Sequence, residues 1–278
     1  MDMDRRLNFD AYSPREISEK IQNVGVTKAR LPTLPTLTLG VVAGGFIGLG
    51  ALFFTIVASD PQLSFGVSRV LGGVVFSLGL ILVVVAGAEL FTGNNLLVMA
   101  WADRKITTWE LARNWMLVYP SNAVGAIGLA IVVYLSQHAD MNQGAVGLTY
   151  VKIAAAKTAL PFWEAFFKGV LCNLLVCLGV WLAMAGRSVT DKVLAIMFPI
   201  AAFVAAGFEH SVANMYFISL GIFLKSGIGA AAANIDTSAL DWGGFIGNLV
   251  PVTLGNIFGG SVMVALVYYS VYGRSART

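Results

Sequence analysis

Residues 86–94 read Ala86-Gly-Ala-Glu-Leu-Phe-Thr-Gly-Asn94, and about 120 residues later the chain reads Ala206-Gly-Phe-Glu-His-Ser-Val-Ala-Asn214. Both fit A-G-x-E-x-x-x-x-N, and both lie in surroundings almost free of other charge. A carboxylate in an apolar run is costly to bury unless something pairs with it, so its repetition needs a cause. Working outward, the apolar runs that hold the two copies cover about residues 67–101 and 192–224. Each is well beyond the ~20 residues that a straight helix needs to cross a hydrocarbon core. Each run is therefore read as a half-helix, an irregular loop and a second half-helix. Non-helical backbone persists at membrane depth only where protein or water satisfies it.

The rest of the chain supports a membrane setting. Of its 278 residues, 57% are hydrophobic and only 12% charged, about half the charge content of soluble domains. The thirty glycines sit mostly inside apolar stretches, as where helices pack closely in lipid. Four further apolar runs, about 36–58, 111–136, 161–186 and 241–272, bring the spans to six. Thirteen of the eighteen Lys and Arg residues fall on the side of the two termini and five on the other. The positive-inside rule then places both termini in the cytoplasm.

Residues 1–30 lack the apolar core of a signal peptide. Phe9, Ile17 and Ile21 allow a short amphipathic helix on the membrane surface, starting after Ser13-Pro14. The expected organisation is this segment, a channel domain over 31–273 and a cytoplasmic tail at 274–278. Cys172 and Cys177, five residues apart in one apolar run, are read as packing residues.

The two halves echo each other beyond the opening motif. Asn114, Asn122 and Gly125 in the third span match Asn248, Asn256 and Gly259 in the sixth, both as N-x7-N-x2-G. More weakly, Gly44-x3-Gly48 parallels Gly169-x3-Asn173. Three spans per repeat force the second repeat, about 161–272, to enter from the side opposite the first, about 36–136. That is an inverted repeat, which places a solute site near the midplane between broken helices. The fold class expected is all-α and membrane-spanning.

Each residue type in the motifs has a physical reading. Gly87 and Gly207 permit the sharp exit from the first half-helix. Asn94 and Asn214, with Thr92 and Ser211, are types that cap a helix as it resumes, and the resumed half-helices aim partial positive charge inward. Glu89 and Glu209 are expected to accept hydrogen bonds from the loop backbone and anchor the break, or to be neutral there. Gly93 accompanies Asn94 in the first loop. His210 has no partner in the repeat, where Leu90 stands, and an intramembrane imidazole that titrates near neutrality is a functional candidate. His138 is placed in an outer loop without a role. Glu164 and Lys168 have the spacing of a helix-face ion pair. Lys157 faces either solvent or a pore mouth, and Asn173 either joins helices or lines a path.

With these motifs and Phe167-Lys-Gly-Val-Leu-Cys-Asn173, essentially the whole chain resembles the formate/nitrite transporter family, and within it the formate channels. The resemblance implies an aquaporin-like fold, a homopentamer in the bacterial inner membrane and a pore through each protomer. It implies Thr92 and His210 as the polar pair at the pore centre, with Asn173 and Lys157 as auxiliary polar groups. It further implies one hydrophobic constriction of Leu90, Phe91, Val176 and Phe203, and another lined by Phe76 and Leu80. Formate is the substrate it favours, with nitrite, hydrosulfide, acetate and lactate as kin; no cofactor, metal or nucleic acid enters.

A carboxylate of pKa about 4 is ionised at neutral pH, and a bare charge in a dry constriction costs several kcal/mol. The expected mechanism is therefore protonation at His210 and Thr92, with Thr92 donating to the imidazole or the substrate. Crossing as the anion, helped by helix dipoles and Lys157, is the alternative. The N-terminal segment is read as a gate of the cytoplasmic mouth or as a plain anchor. An aquaporin-like channel for neutral solutes is remote, because Gly93-Asn-Asn-Leu96 and Ala213-Asn-Met-Tyr216 stand where Asn-Pro-Ala is usual. An enzyme lacks support, because no nucleophile, metal-ligand set or acid–base pair gathers on one site.

Overall fold

A computed structural model describes residues 10–227 and 234–273. Phe9, Arg5 and Arg6 of the N-terminal segment and the tail at 274–278 lie outside the described residues.

Every regular element described is helical. Helix α1 spans Pro14–Ala29 and starts on a capping box, in which the Ser13 and Glu16 side chains each bond the other's backbone. Beyond it run α2 (Thr33–Ala58), α3 (Phe65–Gly87), a 3₁₀ turn (Gly93–Leu97) leading into the short α4 (Val98–Ala102), and α5 (Thr108–Leu135). The second half repeats this order as α6 (Ala145–Thr158), α7 (Phe162–Ala185), α8 (Val189–Ala206), α9 (Ser211–Leu224) and α10 (Trp242–Gly273). Six of these are long and apolar enough to cross a membrane: α2, α3, α5, α7, α8 and α10. Both long runs are broken as read from the sequence, between α3 and the 3₁₀ turn and between α8 and α9. The chain turns there at Gly87 and Gly207, with φ of +87° and +75°. Side chains rarely take such angles, so glycine is required.

Within each half, two helices touch at backbone distance. A Cβ at Gly125 would lie 1.8 Å from the Val41 carbonyl oxygen between α5 and α2, and one at Gly255 would lie 2.1 Å from that of Phe166 between α10 and α7. The halves then join through α3 against α8 and through α9 against α2 and α5. The N-terminal helix is not detached from this body. Ile17 and Ile21 are buried in a cluster with Leu96, Leu97 and Trp181, and the backbone N–H of Tyr12 bonds the Ala185 carbonyl.

The structure corrects one register. Asn122 donates to the Gly40 carbonyl and Asn256 to that of Gly169, each at 2.8 Å. Gly40 is therefore the equivalent of Gly169, and Gly44 of Asn173; the pairing of Gly44 with Gly169 is one helical turn out. Glycines four residues apart recur along α2, so spacing alone does not choose among them. The corrected register also aligns Lys28 with Lys157 and Pro32 with Pro161, which makes α1 the counterpart of α6.

Candidate functional site

The two loops are held from outside by asparagines. The Oδ1 of Asn122 accepts from the Phe91 N–H at 2.9 Å, while its amide donates to the Glu89 carbonyl at 2.8 Å. Asn256 repeats this with the Ser211 N–H at 2.9 Å and the Glu209 carbonyl at 3.0 Å. Neighbouring helices α5 and α10 thus hold the loop N–H groups, while α9 is capped by His210, whose Nδ1 accepts from the Ala213 N–H. This corrects the expectation that Thr92, Asn94, Ser211 and Asn214 cap the resumed half-helices. The backbone N–H groups of Glu89 and Glu209 reach the carbonyls of Leu39 and Lys168, so the strands of loop are pinned on both edges.

The carboxylates also have partners other than those expected. Glu89 accepts from Lys28 Nζ at 2.8 Å and from the Asn94 amide at 2.7 Å. Glu209 accepts from Lys157 Nζ at 2.9 and 3.0 Å and from the Asn214 amide at 2.6 Å. Asn114 and Asn248 complete each set by accepting from Asn94 and Asn214 at 3.0 and 2.8 Å. Loop backbone is not the acceptor's partner, because its leading N–H groups already belong to Asn122 and Asn256. Each acid is a member of a Lys–Glu–Asn–Asn relay, and a buried carboxylate is tolerated when so paired. Lys28, Asn114, Asn122, Asn248 and Asn256 join the site although sequence reasoning does not single them out; the repeated N-x7-N spacing is the signal for the four asparagines, and Lys28 has none.

Two cavities approach the loops from opposite sides and share no lining residue. The one on the side of the termini, about 340 Å³, meets Ile21, Lys28, Leu80, Gly87, Glu89, Leu90, Gly93 and Asn94. The far one, about 260 Å³, meets Arg69, Phe76, Lys157, Lys168, Phe203, Glu209 and His210. Gly207 and Asn214 complete its floor. The hydrophobic groups sort differently from the constrictions implied by resemblance. Phe203 packs edge-on against Phe76, with ring centres 5.7 Å apart, and stacks on His210 at 6.0 Å. Phe203 thus belongs with Phe76 at the far cavity, and Leu80 belongs with Leu90 at the other. Phe91 and Val176 are buried and line neither cavity.

His210 lines the far cavity, and Thr92 lies behind it next to Leu90 and Gly93 of the other cavity; they are 3% and 0% exposed, with Thr92 Oγ1 3.0 Å from His210 Nε2. The backbone N–H of Ala213 donates to Nδ1 at 3.1 Å. Nδ1 therefore carries no proton and the ring is neutral with its hydrogen on Nε2. His210 donates and Thr92 accepts, so of the two partners expected for the Thr92 hydroxyl hydrogen the imidazole is excluded and the substrate remains. Asn173 lines neither cavity. Its amide holds the carbonyls of Thr92 at 3.2 Å and Asn256 at 2.7 Å, so it joins helices behind the pair. Lys168 and Glu164 form their ion pair at 2.7 Å, and both cysteines are free and buried.

Comparison with known proteins identifies the family and the fold. The formate/nitrite transporter family model matches residues 15–270. The chain is 41% identical over 276 residues to the formate channel FocA of Escherichia coli K12, covering 96% of each. It is 37% identical over 272 residues to the FocA of Haemophilus influenzae, covering 94% of this chain and 95% of the relative. A solved pentameric formate channel with formate bound superposes with a TM-score of 0.79 at 39% identity, covering 87% of this chain and 98% of that one. An ion channel of the same family superposes at 0.81 with 30% identity, covering 92% and 98%. With a family model over most of its length and relatives matched almost end to end, the chain belongs to the formate/nitrite transporter family.

Proposed function

We propose that the protein is a formate channel that passes small monovalent carboxylates between the two cavities, with proton transfer at Thr92 and His210. The reading places it in a bacterial inner membrane with both termini in the cytoplasm, so that the far cavity opens outward. It assembles as five copies, as the related pentameric formate channel does, and each copy has its own pore. The observation that carries the mechanism is the Thr92–His210 contact in the wall between two cavities.

A formate anion cannot shed its water between Phe76, Phe203, Leu80 and Leu90 without large cost. Nε2–H and the Thr92 hydroxyl are the donors that meet it. Passing the Nε2 proton to a carboxylate oxygen while Nδ1 takes a proton from the solution on the side the formate came from, releasing Ala213, leaves the ring neutral and the substrate a neutral acid. Proton exchange with that same solution then returns the hydrogen to Nε2. One proton and one formate then cross together. Flux of labelled formate into liposomes tests this, with and without an inward proton gradient. Acceleration by the gradient, lost in an assembled His210→Phe variant, is the expected result. An unchanged pH profile in that variant removes the histidine from the mechanism. Nitrite flux without formate flux moves the substrate within the family, and water flux alone restores the neutral-solute reading.

A further inference from the structure

The two cavities are built from equivalent residues, and where they differ the far one gains positive charge. Lys28, Gly87, Glu89 and Asn94 on the side of the termini correspond to Lys157, Gly207, Glu209 and Asn214 on the far side. Leu39, which lines the first cavity, is replaced in the second by Lys168. Arg69 lines the far cavity with no counterpart in the other. Glu209 is satisfied by Lys157, and Lys168 by Glu164. Arg69 instead reaches carbonyls, with Nε on that of Ala205 at 2.9 Å and one terminal nitrogen on that of Val204 at 2.7 Å. Those carbonyls end α8, just before the break. They carry only partial negative charge, so the guanidinium's full charge stays in the cavity.

We infer that Arg69 is an anion-capture residue, making the far cavity the mouth that collects carboxylate while the cavity on the side of the termini is electrically neutral. The inference rests on the transport reading and adds a direction to it. A cleft with one sign of charge and low-dielectric walls raises the local concentration of the opposite ion. Two of the fork's donors hold the carbonyls, and its remaining N–H groups suit a carboxylate. An anion captured there stands in the same cavity as His210.

The test uses the full-length pentamer in liposomes whose orientation is scored by protease access, with formate titrated from each face. Arg69→Gln is expected to raise the half-saturating concentration from the far face about tenfold and to leave the other face within about twofold. Arg69→Lys, which keeps the charge and loses the fork, is expected to fall between the wild type and Arg69→Gln. Raising ionic strength should weaken far-face saturation in the wild type and do so less in Arg69→Gln. Equal shifts on both faces overturn the inference, as does Arg69→Lys behaving like Arg69→Gln, which assigns the residue to capping α8 alone. If Arg69→Gln does not assemble, equal salt sensitivity of the two faces in the wild type overturns it. Absence of any formate flux in the wild type instead sinks the transport reading itself.

Discussion

His210 shows what one residue's surroundings decide. Its Nδ1 is fixed by the Ala213 N–H, so Thr92 Oγ1 is the acceptor that its Nε2–H needs. Thr92→Val removes that acceptor and leaves a buried donor unpaired, costing about 1–3 kcal/mol. Thr92→Ser restores the acceptor. The expected outcome is a formate flux whose pH profile is altered in the valine variant and near wild type in the serine variant; identical profiles in all three would uncouple the pair. The lysine relays give a sharper case. Glu209 is 5% exposed and held by Lys157, so Lys157→Met strands a buried carboxylate at a cost of about 3–5 kcal/mol. Adding Glu209→Gln should recover much of that loss, read as pentamer melting in detergent, because the neutral amide needs no counterion. The lack of a repeat partner pointed to His210 from sequence alone. Lys28 and Arg69 were not visible in that way: counted as loop and tail charges, they look like orientation signals, and only folding brings them to the cavities.

The break in each long helix was legible because length, glycine and a carboxylate coincide in 86–94 and 206–214. What held the break was not. Asn122 and Asn256 act across 31 and 45 residues on Phe91 and Ser211, and capping rules of local sequence see only the nearest few positions. Helix packing shows the same limit, since thirty glycines look alike in the sequence and behave differently in the fold. Gly125 faces the Val41 carbonyl at 1.8 Å from where a Cβ would sit, whereas Gly45 and Gly128 meet nothing within 4 Å. Gly125→Ala must push α5 off α2, and a loss of several kcal/mol is expected from overpacking against backbone that cannot yield. Gly128→Ala, one turn along the same helix, should be neutral or stabilising by up to about 1 kcal/mol through helix propensity. Melting of the two purified variants side by side checks the contrast, and equal destabilisation would mean that close backbone approach does not set the α2–α5 spacing.

At the scale of the molecule, the inverted repeat changes what the N-terminal helix is. Read from the sequence, residues 1–30 are a gate or an anchor. In the fold, α1 stands to its half as α6 stands to the other, since Lys28 and Lys157 each meet a motif glutamate and each offers its carbonyl to an asparagine. Ile21, Val24, Gly25 and Lys28 are wall of the cavity on that side. A lid that simply lifts would strip Glu89 of its counterion and expose Leu96 and Leu97, both buried beneath α1. Deleting residues 1–30 is therefore expected to lower assembly and formate flux, rather than to yield a fully assembled, permanently open pore. Lys28→Met alone should reproduce part of that defect, and Lys28→Met with Glu89→Gln should relieve it, since the stranded charge is then gone. Pentamer yield by size exclusion and flux per pentamer separate the cases. A truncated protein that assembles at wild-type yield and conducts faster would show that α1 can leave without cost, and that the gate reading describes it after all.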